Sequence, residues 1–159
     1  MVYVVMGVSG CGKSTVGYNL AQSMNLPFYD GDDYHPQANV DKMSSGQPLN
    51  DDDRQPWLDN LALQIRSWNE SGGAVLACSA LKQNYRLTLA RFGDVKFVYL
   101  KGSKELILKR MHSREHFMKP EMLDSQFETL EEPKDAIELS IFDTPAEMVK
   151  KFKEVSNVN

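Results

Sequence analysis

The residues Gly7-Val8-Ser9-Gly10-Cys11-Gly12-Lys13-Ser14, with Thr15 next, satisfy the pattern G-x-x-x-x-G-K-[ST]. Glycines at its first, fourth and sixth positions let the backbone turn back on itself and aim successive N–H groups into one concavity. A helix starting at the end of the pattern adds a partial positive charge at the same place. Phosphates are the natural occupant. Lys13 is expected to reach the β and γ phosphates of a nucleoside triphosphate such as ATP, and the Ser14 hydroxyl to ligate Mg²⁺. Residues 7–15 are thus the nucleotide-contacting set. Cys11 lies inside the loop, but nothing in its surroundings argues for a lowered pKa, so it is not read as a nucleophile.

A second group of chemically capable residues is "YDGDDYHP", 29–36, with Asp30, Asp32, Asp33 and His35 just past a short apolar run. In an open parallel sheet the carboxyl ends of the strands are where ligands sit, and this turn faces the phosphate loop if the two strands are neighbours. One carboxylate there can orient an acceptor hydroxyl and take its proton while another holds Mg²⁺ or its water. Asp32 is assigned the first role and Asp30 the second, with Asp33 as the remaining candidate.

Cations are placed locally rather than as a field. "KMSSGQPLNDDDRQPWL", 42–58, supplies Lys42 and Arg54 among acids, and "CSALKQNYR", 78–86, supplies Lys82 and Arg86. Gathered at strand ends, they suit an anionic acceptor. The net charge of −4 excludes a large basic surface, so neither nucleic acid nor an anionic membrane is an expected partner. Further on, "LILKRMHSREHFM", 106–118, sets Arg110 and Arg114 four apart on one helical side. In the kinases that the chain resembles, named below, a lid arginine closes on the phosphates and the lid excludes water, which would otherwise compete as acceptor; by that resemblance Arg110 and Arg114 are expected to have this role. His112 and His116 lack a third ligand for a metal site, and Phe117 and Met118 are expected to pack on closure or to fill core.

A GTPase switch would need an N-K-x-D guanine reader and a D-x-x-G segment; the chain contains neither. Its two cysteines, Cys11 and Cys78, make no disulfide framework, which suits a reducing compartment and a cytoplasmic address. The opening apolar run of five residues is too short for a signal peptide or a membrane span.

These residues must be held by elements. Val2 to Met6 is a β-branched, aromatic run of the kind buried on both faces of a parallel sheet. Further strands are expected at 27–30, 74–80, 95–100 and 137–142. Helices are expected at 13–24, from Pro56 to the Gly72-Gly73 pair, at 85–92, 103–114 and 144–155. Pro56 suits a first helical turn, Trp57, Leu61, Ile65 and Trp68 share one face, and Thr144-Pro145-Ala146-Glu147 is a capping box. Residues 115–130 fit no clear pattern. Strands alternating with helices mean an α/β fold with a five-stranded parallel sheet in one domain over residues 1–159.

The chain resembles the gluconokinase family within the nucleoside-monophosphate-kinase-like P-loop group. The matching pieces are "GVSGCGKST", "GDDYHP", "KMSSGQPLNDDDRQPWL", "CSALKQNYR" and "HFMKPEMLDSQFETLEEP", which together span residues 5–133. The resemblance implies a three-layer P-loop NTPase fold with a lid at about 111–130. It also implies transfer of the γ phosphate of ATP to the 6-hydroxyl of D-gluconate, often by a homodimer. Carried onto this sequence, Asp32 handles the hydroxyl. Arg54, Lys82 and Arg86 are candidates to meet the carboxylate and polyol, with His35 and Lys42 behind them. Shikimate kinases, the nearest alternative, carry a Gly-Gly-Gly turn where this chain has Cys78-Ser79-Ala80.

Overall fold

Val2, Val4, Val5 and Met6 are fully buried, so the first strand, β1 (Val2–Met6), has protein on both faces. The computed structural model describes residues 1–113 and 120–156, with side chains outside 111–122. Around β1 stand β2 (Phe28–Asp30), β3 (Ala74–Ala77), β4 (Val95–Lys101) and β5 (Ile137–Ser140), in the order β2-β3-β1-β4-β5 and parallel throughout. Register pairs Val4 with Leu76 on one side and with Phe97 on the other. The strand carrying the acidic turn is therefore separated from β1 by β3, not adjacent to it.

Alternation along β1 assigns the two faces. Val5 points into a cluster with Val16, Leu20, Ile107, Leu123, Met148 and Phe152. This layer is built from α1 (Lys13–Met24), α5 (Lys104–Ser113), α6 (Pro120–Thr129) and α7 (Pro145–Ser156). Val2, Val4 and Met6 point the other way, into Trp57, Leu58, Leu61, Ile65, Tyr85 and Leu89, which come from α3 (Asp51–Glu70) and α4 (Gln83–Leu89). Two clusters on one sheet give the three layers. Each of the fully buried leucines contributes about 2–3 kcal/mol.

Local chemistry explains most element ends. Thr144 and Glu147 form the expected capping box at α7, each accepting the other's backbone N–H. At the end of α3, Gly73 (φ 106°) donates to Trp68 O at 2.8 Å, closing the helix. The start of α3 differs from expectation. Asn50 caps it, with Asn50 Oδ1 accepting from Asp53 N and Asp53 Oδ2 from Asn50 N, so the helix begins at Asp51 and Pro56 lies inside. A reciprocal cap, with three aspartates in the first turn favoured by the helix dipole, outweighs the one hydrogen bond that Pro56 cannot donate. The polar stretch before it also carries structure: a 3₁₀ turn at Gly31–Tyr34 and α2 (Gln37–Ser44). Residues 120–129, left unassigned by pattern, form α6.

Candidate active site

The phosphate loop runs from the end of β1 to the start of α1. Gly7 sits at φ 150°, where an added Cβ would lie 2.8 Å from Cys11 Sγ and 3.1 Å from Leu100 O, so only glycine fits. Gly12 sits at φ 94°, a conformation that favours glycine, with open space where a side chain would be. Lys13 Nζ donates to Gly7 O and Val8 O at 3.0 and 3.1 Å, which folds the ammonium back across the loop. Val8 and Cys11 are buried beneath it. Burial pushes the Cys11 thiol up, in keeping with an unreactive cysteine, and pushes Cys78 up to about 12.

Although β3 lies between their strands, the loop and the acidic turn meet. Ser14 Oγ donates to Asp30 Oδ2 at 3.0 Å, and Asp32 N donates to Asp30 Oδ1 at 3.0 Å. One carboxylate thus ties the first turn of α1 to the turn that presents Asp32. The turn is pinned from below by Trp57, whose Nε1–H donates to Gly31 O at 2.8 Å. Ser14 and Asp30 form a hydroxyl–carboxylate oxygen pair of the kind Mg²⁺ takes while keeping most of its waters. Among the described residues no group of three or more His, Cys, Asp and Glu could hold a metal on its own.

Protein atoms crowding the turn, and then the charge of Asp30, push the Asp32 carboxyl above its usual range, while Lys13 and His35 pull it back. The side chain is still 87 % exposed, so solvent keeps the shift modest. His35 Nε2 lies 3.9 Å from Asp32 Oδ1. The His35 ring stacks on Trp57 at 4.2 Å, and burial pushes its pKa down, so it is neutral at pH 7. Asn39, buried, spends one N–H on Asp53 O and lies 3.2 Å from His35 Nδ1 with the other. That assigns Nδ1 as acceptor and leaves Nε2–H toward Asp32.

The acceptor cations fall into two kinds. Arg54 Nη1 donates to the Tyr85 hydroxyl at 3.1 Å, and Lys82 Nζ donates to both oxygens of Asp51 at 3.2 Å. The Tyr85 hydroxyl also bonds Asp51. Asn50, Asp51, Asp52, Arg54 and Lys82 line one open hollow. Arg86, by contrast, is 4 % exposed and donates to Ala80 O, Glu131 O and Gln83 Oε1. This corrects the expectation of an acceptor contact. Its guanidinium lies inside the protein, holding the turn after β3, where Ala80 stands at φ 46°. Lys42 pairs with Asp53 at 2.6 Å, supporting the cap of α3.

Arg110 donates to Ile141 O and stands close enough to the phosphate loop for its charge to act on Cys11. Arg114, His116, Phe117 and Met118 lie outside the described residues, as does the side chain of His112.

A family model described as Shikimate kinase matches residues 9–154. The thermoresistant gluconokinase of Escherichia coli is 48 % identical over 138 residues, covering 83 % of this chain and 77 % of that protein. The gluconokinase of Gluconobacter oxydans is 49 % identical, with 83 % and 76 % covered. The chain belongs to the gluconokinase family. A crystal structure of a gluconokinase from Sinorhizobium meliloti superposes on this family member with a TM-score of 0.87 at 42 % identity, covering 94 % of this chain and 87 % of that one. Shikimate kinase from Aquifex aeolicus, at 18 % identity and a TM-score of 0.61, shares the fold.

Four residues of this gluconokinase site were not singled out by sequence: Asn39, Asp51, Tyr85 and Gln126. Asp51 and Tyr85 lie within quoted motifs, but an acid among three and a tyrosine beside an arginine carry no positional signal. Gln126 also lies within a quoted motif, in a stretch that fits no clear pattern, and nothing in the sequence separates it or Asn39 from an ordinary polar residue.

Proposed function

We propose that this chain transfers the γ phosphoryl group of ATP to the 6-hydroxyl of D-gluconate, giving ADP and 6-phospho-D-gluconate. The observation that carries the reading is the Asp30 carboxylate accepting from Ser14 Oγ and from Asp32 N, which puts the base beside the phosphate cradle. The amides of Gly10, Gly12, Lys13, Ser14 and Thr15, with no protein acceptor among the described residues, face the phosphates.

The acceptor hydroxyl oxygen forms a bond to the γ phosphorus as the bond from phosphorus to the β–γ bridging oxygen breaks. The hydroxyl proton passes to Asp32, whose raised pKa makes it the better acceptor. His35, neutral, turns Nε2–H toward that carboxylate from 3.9 Å. Lys13 and Arg110 counter charge that gathers on the phosphate oxygens. Ser14 and Asp30 would hold Mg²⁺, which when bound supplies charge neutralisation between phosphates. Arg54 and Lys82 meet the carboxylate of the sugar acid, with Tyr85 and Asp51 offering hydrogen bonds to its hydroxyls. The same reading carries the family's homodimer, which light scattering of the purified chain tests.

A coupled assay of ADP release offering gluconate, shikimate or no acceptor tests the function. ADP release that depends on gluconate is the expected result. Release with shikimate alone would move the chain to the other kinase, and acceptor-independent binding without turnover would make it a nucleotide-binding module.

A further inference from the structure

Helix α6 makes a contact that the phosphate and acceptor roles leave unexplained. Ser9 N, in the crest of the phosphate loop, donates to Gln126 Oε1 at 2.6 Å, and Gln126 Nε2 donates back to Ser9 Oγ at 2.9 Å. A carboxamide that accepts from the backbone and donates to the side chain of one residue fixes both the place and the tilt of that peptide. Among the described residues the amides of Gly10, Gly12, Lys13, Ser14 and Thr15 have no protein acceptor, so Gln126 holds a loop amide from outside while those stay open to a ligand.

The helix that carries Gln126 is itself anchored. Just past its end, Glu131 N donates to Leu81 O at 2.8 Å, Gln83 N donates to Glu131 Oε1 at 2.7 Å, and Arg86 Nη2 donates to Glu131 O at 2.7 Å. Leu81 and Gln83 flank Lys82. Residues 126–131 therefore join the phosphate loop to the loop that presents Lys82. A loop with three glycines at positive φ, Gly7, Gly10 and Gly12, has much conformational freedom to lose. Ordering it before the nucleotide arrives removes that cost from binding and keeps the phosphates in line for transfer.

We propose that Gln126 is a positioning residue for phosphoryl transfer: by clamping Ser9 at its amide and its hydroxyl, it sets the shape of the nucleotide cradle from the helix that also holds the Lys82 loop. The residue touches no reacting atom and acts through Ser9.

The test uses the full chain with Gln126→Ala, Gln126→Glu, Ser9→Ala and the Ser9→Ala/Gln126→Ala double variant. ATP affinity is measured by calorimetry with Mg²⁺ and no acceptor, alongside kcat and both KM values. Gln126→Ala is expected to weaken ATP binding and to lower kcat, each by about tenfold, through lost preorganisation. The gluconate KM should stay within about twofold, a split that general loosening of the scaffold would not produce. Gln126→Glu still accepts from the Ser9 amide but brings negative charge toward the phosphates, so it should weaken ATP more than alanine does. The double variant should be no worse than Gln126→Ala, since both remove parts of one contact. ATP affinity and kcat unchanged in Gln126→Ala would overturn the proposal. So would equal rises in both KM values with a large fall in Tm, which would mark a purely structural role. Should Gln126→Ala fail to fold, Ser9→Ala decides: it removes only the hydroxyl bond, and unaltered ATP affinity there counts against the clamp. Because the calorimetry needs no acceptor, failure of gluconate as substrate would leave this result standing by itself.

Discussion

Lys82 Nζ donates to both carboxylate oxygens of Asp51 at 3.2 Å, so one of the two cations lining the acceptor hollow is already partnered by an acid of the same hollow. The hydrogen bonds from Tyr85 and Lys82 hold the Asp51 carboxyl below the usual range, and the same bond pushes Lys82 up. Both are therefore charged at neutral pH. Arg54 and Lys82 are matched in number by Asp51 and Asp52 around the hollow, so Asp51 is one of two acids that offset its cations.

Asp51→Asn removes that counter-charge. A dianionic sugar acid such as glucarate should then inhibit more tightly, by about fivefold or more, because an added favourable charge acts at close range. The ATP KM should not move. Inhibition constants for glucarate in wild type and variant check this, and no change would remove Asp51 from the control of specificity.

Lys13→Ala should lower kcat by roughly 100- to 1,000-fold, the usual effect of losing one donor aimed at transition-state charge. In this structure Lys13 Nζ also braces Gly7 O and Val8 O, so ATP affinity should fall as well. Single-turnover rates at saturating ATP separate the two effects. A near-normal rate would refute the phosphate assignment.

Asp32 gives a pH dependence with a definite sign. Protein atoms crowding the turn and then the charge of Asp30 raise its carboxyl above the ordinary aspartate range, and the base works only when ionised. Activity should therefore be lost as pH falls through a value above 3.8, rather than at or below it. The same raised pKa makes the ionised form slightly costly to the fold, so this group's contribution to stability declines as pH rises through that window. Asp32→Asn should lower kcat far more than ATP affinity and abolish the acidic limb. If the variant chiefly weakened ATP binding, the roles of Asp30 and Asp32 would be exchanged.

Arg86→Met should act on stability first. It strips Ala80 O and Glu131 O of donors at 2.7 Å each, the first in a buried and the second in a part-buried setting, a loss of about 2–4 kcal/mol. Urea unfolding measures it. A loss below about 1 kcal/mol, together with a large rise in the gluconate KM, would return Arg86 to the acceptor site.

Local patterns carried much of this protein. The phosphate loop, the buried strand β1, the shared face of Trp57, Leu61, Ile65 and Trp68, and the Thr144–Glu147 box all follow from spacing that a few consecutive residues impose on themselves. Where local signals competed, the weaker one misled: Pro56 marks no helix start, because the Asn50–Asp53 cap, which begins six residues ahead, offers two hydrogen bonds against the one that proline forfeits.

Residue types and motif spacing by themselves determined that residues 7–15 form a glycine-rich loop of the phosphate-binding pattern and that acids and cations stand near strand ends. Only the tertiary structure decided which of them meet. The order β2-β3-β1 sets a strand between Asp30 and the phosphate loop, yet the start of α1 still brings Ser14 Oγ within 3.0 Å of Asp30. The turn at Ala80 draws Arg86 inside while Lys82 remains in the cleft, and α6 returns Gln126 to Ser9 across 117 residues. A side chain's chemistry is written in its type, but its partner is chosen by how distant segments pack, and no local spacing encodes that.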